Sequence, residues 1–252
     1  MSQTLFDANT ALTRQVAGQG VAFVVWPENK LVDVDDPLIT GQLGTLARQT
    51  GAYIVADVVW HVPAGMYNTA VLVGPHGQEV GRRAKIAITS HEKARGFTAG
   101  PHQYPVYDTP YGKVGIGVCW DRHRLWITRE LARAGAQIVL MPVDDDFNRN
   151  RWFPPFHAAD GVFRAVENRV TIGLGTTSGV SLVVDPYGRI TAQSGINERA
   201  IITGQTFVVP QRPLYTRWGD WFGWLMVVAL LALTGAAVVN QRNIPQNSGE
   251  AA

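Results

Sequence analysis

KVGIGVCWDRHRLWITRELARAGAQIVLMP, residues 113–142, decides the fold class. Lys113 to Val118 read as a strand, and Cys119 stands at its end. A helix is expected from about Leu125 to Ala134, closed by Gly135, where a residue without Cβ can turn the chain out of the helix. Gln137 to Met141 is the next strand. Strand, helix and strand in succession is the repeating unit of an α/β domain.

The flanking sequence continues this alternation. On the N-terminal side, Leu5, Ala8, Leu12 and Val16 recur at helical spacing, and Gly18 and Gly20 end that helix. Val21 to Trp26 is an unbroken apolar run, expected as a buried strand that Pro27 stops. A second helix should run from Pro37 to about Thr50, with Gly51 closing it. Strands follow at Ala52 to Trp60 and Tyr67 to Val73, then a turn at Gly74 to Gly77, then an extended stretch from Val80 toward Lys85. Beyond the opening stretch, a helix is expected from Phe156 to Asn168 and a strand from Val170 to Leu174. Val180 to Val184 and Arg189 to Ala192 should form a hairpin, and a last strand is placed at Ala200 to Val208. The hairpins predict mixed rather than wholly parallel sheets.

The 252 residues suffice for one large α/β domain. With 46% hydrophobic and 17% charged residues the chain is globular rather than disordered. A formal net charge of +2, with most of the basic residues being arginines scattered singly, gives no reason to expect nucleic acid as a partner. The single cysteine excludes a disulfide within the chain and argues against a cysteine metal cluster. Residues 221–239, WFGWLMVVALLALTGAAVV, carry no charge and are long enough to span a hydrocarbon core. Trp218, Trp221 and Trp224 cluster at their start, as an interfacial aromatic belt would. A polar tail, 240–252, follows.

Three polar residues stand at strand ends or in adjoining loops, where the sites of α/β proteins gather: Glu28, Lys85 and Cys119. Taken singly, each has an ordinary explanation as a solvated loop acid, a surface lysine and a small core residue. Asp144-Asp-Asp146 with His157 shows no metal-ligand spacing and reads as a solvated loop. Ser178 and Ser181 lack a nucleophile elbow, and His61, His91 and His102 are isolated.

Taken together and in order, the runs VVWPE (24–28), YNTAVLVGPHGQEVGRRAK (67–85), GKVGIGVCWD (112–121) and RELARAGAQIVLMP (129–142) resemble the nitrilase, or carbon–nitrogen hydrolase, superfamily. The resemblance covers about residues 4–208. It implies a four-layer α-β-β-α sandwich and a catalytic triad of Glu28, Lys85 and Cys119, without a cofactor or metal. Glu92, in SHEKARGF, is similar to a further glutamate of that superfamily that orients the site. Within it, the chain looks most like the C-terminal part of the apolipoprotein N-acyltransferase family. PLYTRWGDWFGWL (213–225) resembles that family's exit into its last membrane helix, and TSGVSLVVDPYGRI (177–190) resembles the segment after its catalytic core. Trp120 and Asp121 follow the nucleophile where that family usually has tyrosine and glutamate.

The resemblance implies an enzyme that takes an acyl chain from a phospholipid and passes it to the amino terminus of a lipoprotein. It would lie in a bacterial inner membrane, held by one C-terminal span, with its catalytic domain extracytoplasmic. The alternatives are a membrane-tethered amidase acting on a small amide, and an inactive fragment. The domain expectations are 1–210 for the catalytic domain, 211–220 for a connector, 221–239 for the membrane helix and 240–252 for the tail. Such a domain usually opens with a strand before its first helix. Here the chain starts at about that helix, so the first strand is expected to be missing. The family's N-terminal membrane helices, or a separate membrane subunit, would complete the enzyme.

The physical chemistry suits this triad. A free thiol with a pKa near ~8.5 is only a few per cent thiolate at neutral pH and gains from a nearby general base. The oxyanion formed on attack at a carbonyl gains from an ammonium and from the backbone N–H after the nucleophile.

Overall fold

The computed structural model describes residues 3–28, 31–33, 37–63, 65–146 and 152–242. They form a four-layer α-β-β-α sandwich, as expected, followed by one long apolar helix.

Two helices, α1 (Gln3–Gln15) and α2 (Pro37–Thr50), make the first outer layer. Beneath them lies a five-stranded sheet built from β1 (Phe23–Val25), β2 (Leu31–Asp33), β3 (Tyr53–Val62), β4 (Gly65–Val73) and β5 (Glu79–Ala84). Its order is β1-β3-β4-β5, with β2 also paired to β3. The second sheet holds β6 (Val106–Thr109), β7 (Gly112–Ile116), β8 (Ile138–Val143), β9 (Thr171–Thr176), β10 (Leu182–Val184) and β11 (Ile190–Gln193), in the order β11-β10-β9-β8-β7-β6. Both sheets mix parallel and antiparallel pairs. The helices α4 (Leu125–Arg133) and α5 (Phe153–Asn168) cover the second sheet. A short helix, α3 (Ser90–Ala94), follows β5.

Strand periodicity sorts the core into layers. On β3, Ile54, Ala56 and Val58 pack under α1 and α2 with Phe6, Trp26, Leu43 and Leu46. Tyr53 and Val55 point the other way, into the space between the sheets, where Ala70, Leu72, Val114, Ile116 and Leu140 join them. Trp26 anchors the end of β1: its ring packs edge-on against Phe6, and its indole N–H donates to the Thr13 hydroxyl at 2.9 Å. Gly175 of β9 lies against the Val25 and Trp26 backbone, so that a Cβ there would strike the Val25 carbonyl oxygen. That close approach brings the chain after Trp26 onto the end of the second sheet.

Several expected elements shift. The expected strand at Ala200 to Val208 is irregular chain. Gly204 lies against Val183 of β10, Thr206 and Phe207 bond the Thr171 hydroxyl of β9, and Val208 lies near Gly112 of β7. A segment that crosses strands in this way cannot join their ladder. The strand leading to Cys119 stops at Ile116, and Cys119 opens a 3-10 turn, Cys119–His123. Besides that turn, four elements among the described residues were not anticipated: β2, α3, β6 and α6 (Leu214–Trp218).

The helix α7 (Trp221–Arg242) extends three residues past the expected end, into the segment read as tail. The rest of that tail, 243–252, lies outside the described residues. Trp221–Asn240 is long and apolar enough to cross a membrane, with a mean hydropathy of 2.3 and 0% of its window buried.

Candidate active site

Glu28, Lys85, Glu92 and Cys119 come from four separate segments, and the fold brings them to one end of the space between the sheets. Glu28 follows β1 and is 3% exposed, which rules out a solvated loop acid. Its backbone N–H donates to the Val143 carbonyl at the end of β8 (3.1 Å), so the residue bridges the two sheets. Lys85 lies one residue past β5 and shares the inward face with Arg83, two residues before it. It is 2% exposed, not a surface lysine.

The Lys85 ammonium sits between two carboxylates, 2.7 Å from Glu92 Oε1 and 3.2 Å from Glu28 Oε1. Asn68 of β4 joins the same pair: its amide nitrogen donates to Glu28 Oε1 at 2.6 Å and to Glu92 Oε1 at 2.7 Å. Glu28 Oε2 accepts the Asp144 N–H at 3.1 Å. Glu92 is itself held by the first turn of α3. Thr89 caps that helix, accepting the Glu92 N–H at 3.2 Å, while Glu92 Oε2 accepts the Thr89 N–H and hydroxyl at 3.0 and 2.8 Å.

Cys119 is buried, and its thiol donates to the Asp144 carbonyl at 3.5 Å. Its φ of +42° is left-handed, an uncommon region for a residue with a Cβ. Asp121 ties this turn to the lysine. Its carboxylate accepts the N–H groups of Ile86 (3.1 Å), Ala87 (2.8 Å) and Val118 (3.3 Å), and pairs with Arg83 at 2.7 Å. One buried side chain therefore fixes both the residues after Lys85 and the residue before Cys119. Trp120 is half-buried, its ring against those of His123 and His157.

The electrostatics follow from this packing. Burial works against the Lys85 cation, but the negative charge of Cys119 where it is ionised, and those of Glu28 and Glu92, outweigh it and raise its pKa. Burial likewise opposes the Glu92 anion, yet the Lys85 charge and the hydrogen bonds bring its pKa down to about 2. The Cys119 thiol goes up, through burial and then the Glu28 charge, against a smaller pull from Lys85 and Arg122. At neutral pH the cluster thus holds an ammonium, the Glu92 carboxylate and a protonated thiol.

The residues named from sequence do assemble. Sequence reasoning missed Asn68, although an asparagine inside a strand is a signal, because strands disfavour it. It also misread the acidic loop. Asp145 is 2% exposed and His157 3%, and the two pair with each other and with buried Arg122 rather than facing solvent. Among the described residues no group of three or more His, Cys, Asp or Glu side chains is arranged to hold a metal ion.

The comparisons with known proteins agree with this architecture. The apolipoprotein N-acyltransferase of Geobacter metallireducens is 27% identical over 252 residues, covering 90% of this chain and 47% of that protein. That of Nostoc sp. is 27% identical over 84% of the chain and 46% of its own length. The chain thus spans about half the length of these relatives. The omega-amidase of Mus musculus is 25% identical over 75% of the chain and 78% of its own length. In fold, the chain superposes on an amidase from Nesterenkonia sp. AN1 with a TM-score of 0.73 at 21% identity, covering 88% of this chain and 93% of that one. The model of the carbon–nitrogen hydrolase family matches residues 3–206. The chain belongs to the carbon–nitrogen hydrolase family.

Proposed function

We propose that the chain is an acyltransferase of the apolipoprotein N-acyltransferase kind, working through a thioester on Cys119. The observation that carries the reading is the buried ammonium of Lys85, held between two carboxylates, one of which shares the Asp144 peptide with the thiol of the chain's one cysteine. Glu28 takes the thiol proton as Cys119 attacks the ester carbonyl of a phospholipid. The raised thiol pKa suits a proton transfer during attack rather than a standing thiolate. Lys85 and the backbone N–H of Trp120 stabilise the oxyanion. The lysophospholipid alkoxide leaves with the proton from Glu28. In the second half the amino terminus of a lipoprotein attacks the thioester, Glu28 takes the amine proton, and the thiol is restored.

Glu92, Asn68 and Asp121 hold Lys85 and Glu28 in place. Helix α7 supports a lipid substrate, since it would anchor the domain in the bacterial cell membrane, on the extracytoplasmic face in this reading. Membrane helices of a longer chain, or of a separate subunit, would complete the lipid-facing side. The amidase reading draws on the omega-amidase relative, most of whose length the chain covers. It uses the same residues, with water in place of the amine.

The test is intact mass spectrometry of the chain in detergent after incubation with phospholipid. A hydroxylamine-labile acyl adduct is expected on the wild type and absent from Cys119→Ala, with Glu28→Gln slowing its formation about 10³-fold or more. An adduct that persists in Cys119→Ala refutes the mechanism. A folded wild type that hydrolyses small amides but takes no acyl chain selects the amidase reading.

A further inference from the structure

A second buried charge cluster adjoins the nucleophile turn. Arg122, Asp145 and His157 are 1%, 2% and 3% exposed. Burying an ion pair so fully costs several kcal/mol of desolvation per ion, offset only by close geometry and full hydrogen bonding. The geometry here is close. Arg122 donates from Nη1 to the Cys119 carbonyl at 3.2 Å and from Nε to the His157 carbonyl at 2.9 Å. Its Nη2 lies 3.0 and 3.2 Å from the two Asp145 oxygens. Asp145 Oδ1 is also 2.9 Å from His157 Nδ1.

The cluster touches the candidate site at two points. One is the carbonyl of Cys119, the residue with left-handed backbone. The other is the Asp144 peptide, adjacent to Asp145, whose N–H reaches Glu28 and whose carbonyl accepts from the thiol. A single guanidinium therefore connects the backbone of the cysteine to the loop that contacts both the thiol and the carboxylate beside it.

We propose that Arg122, Asp145 and His157 form a positioning unit that holds Cys119 in its left-handed turn and the Asp144 peptide against the thiol and Glu28. The unit rests on the reading of Cys119 as nucleophile, and it acts through Cys119 rather than on substrate. Its readout is the reactivity of the thiol as well as turnover. Cys119 is the chain's only thiol, so alkylation by iodoacetamide, followed by intact mass, reports on it alone.

The experiment compares the full chain in detergent with His157→Leu, His157→Asn and Arg122→Lys. Asparagine can place an N–H where Nδ1 stood, whereas leucine fills space without a donor. His157→Leu and Arg122→Lys should lower both the alkylation rate and the acyl-transfer kcat by about 10- to 100-fold, with KM within about 3-fold, as a displaced reacting group does. His157→Asn should recover most of the loss, although the two His157 variants melt at similar temperatures. Wild-type alkylation in a folded His157→Leu overturns the proposal, as do equal losses in the leucine and asparagine variants, which would indicate packing alone. If His157→Leu does not fold, a folded Arg122→Lys with wild-type alkylation overturns it equally. If the wild type takes no acyl chain but the alkylation rates separate as described, the acyltransferase reading fails and the positioning unit stands.

Discussion

The interior around Lys85 and the surface of α7 break the rule of apolar inside and polar outside in opposite directions. Around Lys85, charged groups are buried: Glu28, Lys85, Glu92, Asp121, Arg83, Arg122 and Asp145 are each 3% exposed or less. On α7, large apolar groups are exposed: Leu230, Leu231 and Leu233 are each more than 60% exposed. The first region finds its compensation within the fold, because its charges meet an opposite charge or a backbone N–H at hydrogen-bonding distance. The second finds none within the described residues, and a hydrocarbon phase would supply it. A buried charge with partners is a device of the fold. An exposed apolar helix is a statement about its surroundings.

The largest effect should come from removing the one cation between the two carboxylates. Lys85→Met leaves Glu28 and Glu92 buried with no ammonium between them, and breaking a buried pair from one side costs about 3–5 kcal/mol. Denaturant unfolding should show that loss. The triple variant with Glu28→Gln and Glu92→Gln should recover much of it while remaining inactive. A Lys85→Met chain as stable as the wild type would mean that the cluster is not paired as described.

How much of this contrast could be read from sequence depended on whether the signal was local. The apolar helix was plain, because the nineteen uncharged residues 221–239 identify themselves. The strand–helix–strand unit around Cys119 was equally legible. Glu28 and Lys85 were found only through the runs around them, since nothing in a lone glutamate or lysine reveals its burial. Asn68 and Arg122 were missed because their side-chain partners lie 23 to 40 residues away in sequence. The acidic loop was misread because composition treats its three aspartates alike, although Asp145 is buried and Asp146 exposed. Glu92 did carry a local signal: Thr89, two residues, then an acid is a capping box, and it marks the start of α3. The chain at Ala200 to Val208 has the composition of a strand, but only the tertiary arrangement shows that it runs across strands.

The exposed side of the comparison is tested by Leu230→Arg, near the middle of α7. An arginine at the centre of a membrane helix costs about 3 kcal/mol on insertion scales. The variant should shift from the vesicle fraction toward the aqueous fraction on flotation, while the unfolding midpoint of the domain stays where it was. Unchanged flotation together with a lowered domain midpoint would instead mean that α7 packs on protein.

The smallest effect concerns acid, and it separates Glu92 from the rest of the cluster. Its pKa falls from 4.5 to about 2 on folding, so the anion is favoured in the folded state. A depressed acid contributes its stability fully above the unfolded pKa and loses it as pH falls through the folded one. The Glu92 contribution, on the order of 2–3 kcal/mol, should therefore be intact at pH 6 and disappear between about pH 4.5 and pH 2. Glu92→Gln should be less stable than the wild type at neutral pH, and the gap should close across that window, since other carboxylates titrate alike in both chains. The glutamine has one carbonyl oxygen where the carboxylate has two, so, like the protonated acid, it accepts from Lys85 or from the Thr89 cap but not from both, and the gap measures the charge together with the second acceptor. A gap that stayed constant with pH would assign the role of Glu92 to its hydrogen bonds alone, and would leave Glu28 as the anion that keeps Lys85 protonated.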